Sequence, residues 1–254
     1  MSLVEVENVS FGYSRQRTVL QDVSFNIKAG ASVGLVGESG SGKTTLLRLL
    51  LGLARPNAGS IRFDGALVDP ADRRFMRAYR RNVQAVFQDP YSSLDPRQRI
   101  ESIVAEPLRS LRIPGNRRAM VQAALAAVGL EPNILRRYPH EFSGGQRQRI
   151  AIARAIVPKP KLLLADEAVS ALDLSTKVRI VELLKELASG MTLVFVSHDL
   201  GVVAALCDEI VILEHGRIVE AGPTRKILDH PQHDYTKALL ASVPRMPGRA
   251  DSQG

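Results

Sequence analysis

The sequence predicts an α/β fold in which a buried parallel sheet carries a phosphate loop and an all-helical segment interrupts the sheet. Three observations predict it. Continuous apolar runs such as Lys161-Leu162-Leu163-Leu164-Ala165 read as strands buried on both faces. Gly37-Glu38-Ser39-Gly40-Ser41-Gly42-Lys43-Thr44 stands between one such run and a helical pattern. From Tyr91 to Pro160 the texture changes to helices punctuated by Pro96, Pro107, Pro114, Pro132 and Pro139.

Composition bounds the function classes. The 254 residues, 45% hydrophobic and 24% charged, are ordinary for a globular protein and sufficient for one large α/β domain with an insert. No apolar run is long enough to span a bilayer, and Met1 onward shows no signal peptide. The single Cys207 excludes an intrachain disulfide and reads as a small buried apolar residue. The net charge of +8 rests largely on arginine, as in Arg73 to Arg81, which reads as a solvated helix face because no aromatic platform accompanies it. No nucleic-acid partner is expected.

Taken in order, Leu3–Val9 and Asp22–Ile27 alternate as half-buried strands, with Phe11-Gly12-Tyr13 read as a loop between them. Tyr13 can stack on a purine through its flat face, or serve as a core or turn tyrosine. Ser32–Val36 is a buried strand that feeds the phosphate loop, and Thr45–Leu51 is a helix apolar on nearly all sides. The glycines let successive N–H groups point at one anion, and the helix N-terminus adds its dipole. Lys43 is expected to reach the β- and γ-phosphates, and the Thr44 hydroxyl to bind Mg²⁺. Ser60–Phe63 and Val83–Phe87 are further strands, and Ile100–Leu111, Arg117–Val128 and Gly144–Val157 are helices. The run at 162–165 delivers Asp166 and Glu167 to the sheet edge where ligands bind in open α/β folds. There Asp166 can hold Mg²⁺ through water, and Glu167 can orient or deprotonate a water. After the helix Thr176–Ala188, the strand Thr192–Val196 brings His198 to the same edge, within reach of a γ-phosphate. A hairpin at 209–213 and 217–220, a short helix at Thr224–Leu228 and a polar tail after Pro244 follow.

The pieces resemble the ATP-binding cassette (ABC) ATPases over nearly the whole chain. Phe142-Ser143-Gly144-Gly145-Gln146 resembles the family's Leu-Ser-Gly-Gly-Gln signature, a second glycine-rich helix start. The resemblance implies a RecA-like P-loop NTPase core with an N-terminal antiparallel β-subdomain and an inserted α-helical subdomain. Core boundaries of 1–88 and 161–230, a helical subdomain at 89–160, a C-terminal helix at 231–243 and a tail at 244–254 follow from it. It implies ATP and Mg²⁺ as ligands, with ATP held by Tyr13 and by Gly37, Glu38, Ser39, Gly40, Ser41, Gly42, Lys43, Thr44 and Thr45. Lys43, Gln88, Glu167 and His198 become catalytic, Gln88 sensing Mg²⁺ and γ-phosphate and His198 acting as a switch. Thr44, Gln88 and Asp166 become the Mg²⁺ set. Two such domains pair head to tail in the family, as a homodimer or with a paralogue. Ser143, Gly144, Gly145 and Gln146 then close over the partner's γ-phosphate, and Ser170, Ala171, Leu172 and Asp173 cross the interface.

Finer matches point to the bacterial peptide and nickel importer ATPases: Phe87-Gln88-Asp89-Pro90-Tyr91-Ser92-Ser93-Leu94-Asp95-Pro96, Tyr138-Pro139-His140-Glu141-Phe142, and the run from His233 to Leu240. This resemblance implies integral-membrane permease subunits, a substrate-binding protein indirectly, and a place on the cytoplasmic face of the inner membrane. Phe142 departs from the usual Leu, Ala168 from a common Pro, and Asp234 from the usual Pro. The groove for a permease coupling helix is expected at 92–113. A non-transport ABC ATPase acting on nucleic acid or ribosomes is the competing reading. A kinase or GTPase would leave Ser143–Gln146 unexplained.

Overall fold

The computed structural model describes residues 2–14, 17–89 and 93–242. Two sheets form. An antiparallel one has the order β2-β1-β4-β5, from β1 (Ser2–Ser14), β2 (Arg17–Lys28), β4 (Ala58–Phe63) and β5 (Ala66–Leu67). The second has the order β10-β9-β3-β8-β7-β6, from β3 (Ser32–Val36), β6 (Val83–Val86), β7 (Leu162–Asp166), β8 (Thr192–Ser197), β9 (Glu209–Glu214) and β10 (Arg217–Pro223). In it β6, β7, β8, β3 and β9 run parallel, and β10 closes the edge antiparallel to β9.

The pleat of this sheet divides the interior into two cores. Leu163 and Ala165 of β7 and Leu193 and Phe195 of β8 face one core with the helical segment. Leu162, Leu164, Val194 and Val196 face the other, with the antiparallel sheet and the first helix, α1 (Lys43–Leu50). Successive side chains point to opposite faces of a strand, so an unbroken apolar run is what a sheet covered on both sides requires. Each buried Leu contributes about 1.5–3 kcal/mol of transfer free energy.

The α/β class, the antiparallel subdomain and the helical segment agree with expectation, and three local readings change. Phe11-Gly12-Tyr13 is not a loop but the end of β1, because Phe11 and Gly12 pair with Leu20 and Thr18 of a longer β2. The expected helix 100–111 is two short helices, α3 (Ile100–Val104) and α4 (Glu106–Ser110), separated at Ala105. Pro107 in the first turn of α4 has no N–H to continue the ladder. The strand expected at 83–87 stops at Val86, leaving Phe87 exposed.

The helix α2 (Arg73–Asn82) buries Met76 and Tyr79 and exposes its arginines, as expected of a solvated face. The segment continues through α5 (Arg117–Ala127) and α6 (Gly144–Ile156), and the sheet resumes with α7 (Leu174–Ala188) and α8 (Leu200–Leu206) between strands. α9 (Thr224–Asp229) and α10 (Asp234–Ser242) end the described chain. Cys207 is buried, and burial pushes its thiol up to about 12. Among the described residues no helix is long and apolar enough to cross a membrane. The tail at 244–254 and the residues Pro90, Tyr91 and Ser92 lie outside the described residues.

Candidate nucleotide site

The site forms where the C-terminal ends of the parallel strands meet. β3 leads into the phosphate loop, whose Gly40 and Gly42 take left-handed φ values of 83° and 110°. A Cβ on Gly42 would lie 2.7 Å from Leu20 Cδ2, so only glycine turns the chain into α1 this close to β2. Lys43, the first residue of α1, is buried and folds back on the loop. Its Nζ donates to the Gly37 and Glu38 carbonyls, both at 2.7 Å, and lies 3.4 Å from Ser41 Oγ. Burial pulls the Lys43 pKa down, while the Glu167, Asp166 and Glu38 carboxylates oppose that pull.

The loop opens on a cleft of about 430 Å³ lined by Ser39, Gly40, Gly42, Lys43, Thr44 and Thr45 together with Tyr13 and Glu167. Residues far apart in sequence therefore share one space. Tyr13 is 60% exposed, which removes the core reading of this residue. Its ring meets Phe11 edge-on with centroids 5.1 Å apart. Its hydroxyl accepts from Arg48 Nη1 at 2.9 Å and lies 3.4 Å from Thr45 Oγ1, and the Thr45 contact leads in lowering its pKa. A roomier apolar hollow of about 690 Å³ beside α5 and the end of α6 offers no phosphate-binding backbone. Chemistry, not size, selects the cleft.

Asp166 ends β7 half-buried. Burial, and then the neighbouring Glu167 charge, raise its pKa, with Lys43 and Arg48 opposing. Glu167 takes φ 46°, an uncommon conformation for a residue with a long side chain, held by its N–H donating to the Val196 carbonyl of β8 at 2.9 Å. Its Oε1 lies 3.2 Å from His198 Nδ1. Asp199 anchors the turn that carries His198. Its carboxylate accepts from the Gly201 and Val202 N–H groups at the start of α8 and pairs with Lys177 of α7 at 2.5 Å. Gln88 lies two residues past the end of β6, exposed and outside the cleft.

Ser143–Gln146 do not line this cleft. They open α6 with a reciprocal cap: the Gln146 N–H donates to Ser143 Oγ at 3.3 Å, and the Ser143 N–H donates to Gln146 Oε1 at 3.0 Å. Gly145 presses on α7, where a Cβ would lie 2.4 Å from Thr176 Cγ2. Ser170 Oγ donates to the Glu167 carbonyl at 3.0 Å, and Leu172 is half-buried against the core while Ala171 is exposed. Asp173 caps α7 by accepting from the Thr176 N–H at 3.0 Å, and its bonds to Thr176 and Ser175 pull its carboxyl down to about 2.

The ABC transporter family model matches residues 20–170, from β2 through the phosphate loop and signature to Ser170. The chain belongs to the ABC transporter family. A second model, the oligopeptide/dipeptide transporter C-terminal region, matches residues 219–253. Among similar proteins, a putative peptide import ATP-binding protein of Brucella ovis is 48% identical over 230 residues, 89% of this chain and 73% of that protein. The oligopeptide transport ATP-binding protein OppF of Streptococcus mutans is 44% identical over 251 residues, 95% of this chain and 82% of its own. Among solved structures, cbiO1 of Clostridium perfringens, part of an ABC transporter complex, superposes with a TM-score of 0.82 at 29% identity, covering 90% of this chain and 91% of that one. A dimeric ATP-binding cassette bound to ADP and Pi gives a TM-score of 0.76 at 31% identity, covering 87% and 99%.

In this ABC ATPase the departures from the family pattern have local reasons. Phe142 is buried, and the Arg137 guanidinium sits 4.5 Å from its ring centre. Ala168 is buried in the same core as Val169. Asp234 begins α10, where a carboxylate suits the helix dipole, and it pairs with Lys237 at 2.9 Å. Sequence reading misses Ser14, Arg17 and Val19, which line the cleft beside Tyr13. It also misses two clasps on the phosphate loop, the Gly216 N–H donating to the Ser41 carbonyl at 2.9 Å and the Glu38 N–H donating to Tyr235 Oη at 2.8 Å. Neither contact follows from local pattern, because each spans more than 170 residues.

Proposed function

We propose that this ABC ATPase energises a peptide importer and that the residues of the cleft perform its hydrolysis step. The observation that carries the reading is the convergence of the phosphate loop, Tyr13 and Glu167 on one cleft. Tyr13 takes the adenine face, and the backbone of Gly40–Thr45 with Lys43 takes the phosphates. Glu167, oriented by His198, accepts the proton of the attacking water.

Mg²⁺ is the metal this family's chemistry implies, and the donors present fit it. Among the described residues no cluster of three or more His, Cys, Asp or Glu side chains is arranged to hold a metal. Mg²⁺ needs none, since it binds through one or two protein oxygens with substrate phosphates and water completing its shell. The Thr44 hydroxyl and the Asp166 carboxylate would hold it, and a cation there would relieve the burial and Glu167 repulsion that raise the Asp166 pKa. Bound there, it would neutralise charge on the β- and γ-phosphates. Gln88 lies outside the cleft, and we assign it to this set from the family resemblance.

Ser143–Gln146 lie outside the chain's own cleft, so we assign them to the ATP of a second cassette, with Ser170–Asp173 at the joint. Peptides are the solute class because the relatives above carry peptide and oligopeptide descriptions and the matching C-terminal model is that of oligopeptide and dipeptide transporters. The same descriptions favour a permease partner at the cytoplasmic face of the membrane over a nucleic-acid or ribosome partner. Isolation of this chain from membranes tests the assignment. Permease subunits should come with it, and peptide should stimulate ATP hydrolysis by the reconstituted complex. Recovery without any membrane protein contradicts it.

A further inference from the structure

The phosphate loop is gripped from outside by the C-terminal part of the chain. The Glu38 carbonyl accepts from Lys43 Nζ at 2.7 Å and from the Ser41 N–H at 3.2 Å, while the Glu38 N–H donates to Tyr235 Oη at 2.8 Å. Both ends of that residue's polar backbone are therefore fixed. Three residues on, the Ser41 carbonyl accepts from Gly216 N–H in the β9–β10 turn at 2.9 Å. Glu38 and Ser41 do not line the cleft, whereas Ser39, Gly40, Gly42, Lys43, Thr44 and Thr45 do. The clasps thus hold two loop residues that do not line the cleft.

Tyr235 is itself held in place. Its ring is half-buried against the core, and its N–H donates to His233 Nδ1 at 3.2 Å. The Glu220 carboxylate of β10 accepts from the Gln232 and His233 N–H groups at 3.1 and 3.2 Å, tying the approach to α10 onto the sheet. A chain of contacts thus runs from β10 through α10 to the phosphate loop.

We propose that Tyr235 is a positioning residue for ATP binding, its hydroxyl latching the Glu38 peptide so that the loop is already curled to receive phosphate. This rests on the reading of residues 37–44 as the phosphate site. A loop ordered in advance spares binding the entropy of ordering it. The acceptor is the hydroxyl, so phenylalanine keeps the packing and loses the latch.

The test compares Tyr235→Phe, Tyr235→Ala and Lys43→Ala in the full chain with Mg²⁺-ATP as the probe. Tyr235→Phe should raise the ATP Kd and KM about 3- to 10-fold, the range of one lost hydrogen bond, with kcat at saturation and melting temperature little changed. Exchange of the Glu38 amide should be slow in the unaltered chain and fast in Tyr235→Phe. Tyr235→Phe that restores the affinity lost in Tyr235→Ala overturns the latch, because packing alone then suffices. Fast Glu38 exchange in the unaltered chain overturns it without any substitution. If Lys43→Ala loses ATP while Tyr235→Phe binds as the unaltered chain does, the latch fails and the phosphate site stands. If Lys43→Ala still binds ATP, the phosphate-site reading itself falls.

Discussion

The Glu167 carboxylate and the His198 imidazole face each other at 3.2 Å across the ends of two neighbouring parallel strands. The Glu167 side chain is 21% exposed and His198 62%, so the histidine reaches outward while the carboxylate is sheltered at the cleft edge. This geometry suits the proposed roles of base for Glu167 and orienter for His198. Glu167→Gln should keep ATP binding and lower turnover by about 10²–10⁴-fold, the usual size of a general-base contribution. His198→Ala should lower turnover less, since the carboxylate remains. Steady-state hydrolysis beside equilibrium ATP binding decides it, and near-normal turnover in Glu167→Gln removes the assignment.

Asp166 carries a cost for stability. Burial and Glu167 raise its folded pKa above the unfolded value of about 3.9. Between those two values the folded chain binds more protons than the unfolded one, so stability falls as pH rises through that window. Asp166→Asn should therefore raise the melting temperature of the nucleotide-free, Mg²⁺-free chain at pH 7, and the gain should vanish below about pH 4. The same variant should lose Mg²⁺-dependent hydrolysis. A gain that persists unchanged at pH 3 points to a cause other than this carboxylate.

The expected permease groove at 92–113 lies partly outside the described residues, but Arg97 and Arg99 are described and exposed. Arg99 is engaged, with Nε 3.5 Å from Tyr138 Oη. Arg97 donates its N–H to Asp95 Oδ1 at 2.9 Å, and its charge also helps lower the Asp95 pKa. Arg97→Glu is thus the cleaner probe. It should leave the ATPase of the isolated chain near its normal rate and weaken stimulation by the permease. Loss of basal hydrolysis with the fold intact would mean the surface has been misplaced.

Much of this could be read from sequence because it is local. The phosphate loop, the Asp166–Glu167 pair and the helix start at Ser143–Gln146 each lie within a short stretch of sequence. Pro107 is legible too, yet 100–111 reads as one helix where the missing N–H makes two. Phe11-Gly12-Tyr13 reads as a loop between two alternating runs. Long pairing with β2 overrides that local signal. Tyr235, Gly216 and Arg17 reach the loop or the cleft only through the tertiary fold, and no spacing announces them.

The signature lies outside its own chain's cleft, and its proposed assignment to a second cassette would make hydrolysis an intermolecular event. An open γ-phosphate forgoes the charge stabilisation that speeds phosphoryl transfer, and a second chain's helix N-terminus supplies it. Specific activity should rise with protein concentration where the dimer is partly formed. Gly144→Asp should abolish activity while leaving monomer ATP affinity little changed. Mixing it with Lys43→Ala chains should restore part of the rate, since one of the two composite sites is then intact. Constant specific activity across a range shown to be monomeric rules out the shared site.

The contact of Gly145 with Thr176 ties the signature helix α6 to α7, the helix capped by Asp173. Two effects compete in Gly145→Ala. Helix propensity favours alanine by up to about 1 kcal/mol. The new Cβ, 2.4 Å from Thr176 Cγ2, forces the two helices apart, at about 1–3 kcal/mol for overpacking of this kind. The clash should win, so Gly145→Ala alone should be less stable in chemical denaturation. Thr176→Ser removes that methyl and keeps the hydroxyl that bonds Asp173. In the double variant the clash is gone and the propensity gain remains, so stability should return to or pass that of the unaltered chain. Such a rescue is a coupling between neighbours that distant sites do not show. Additive losses in the double variant would mean that α6 and α7 do not meet at this pair.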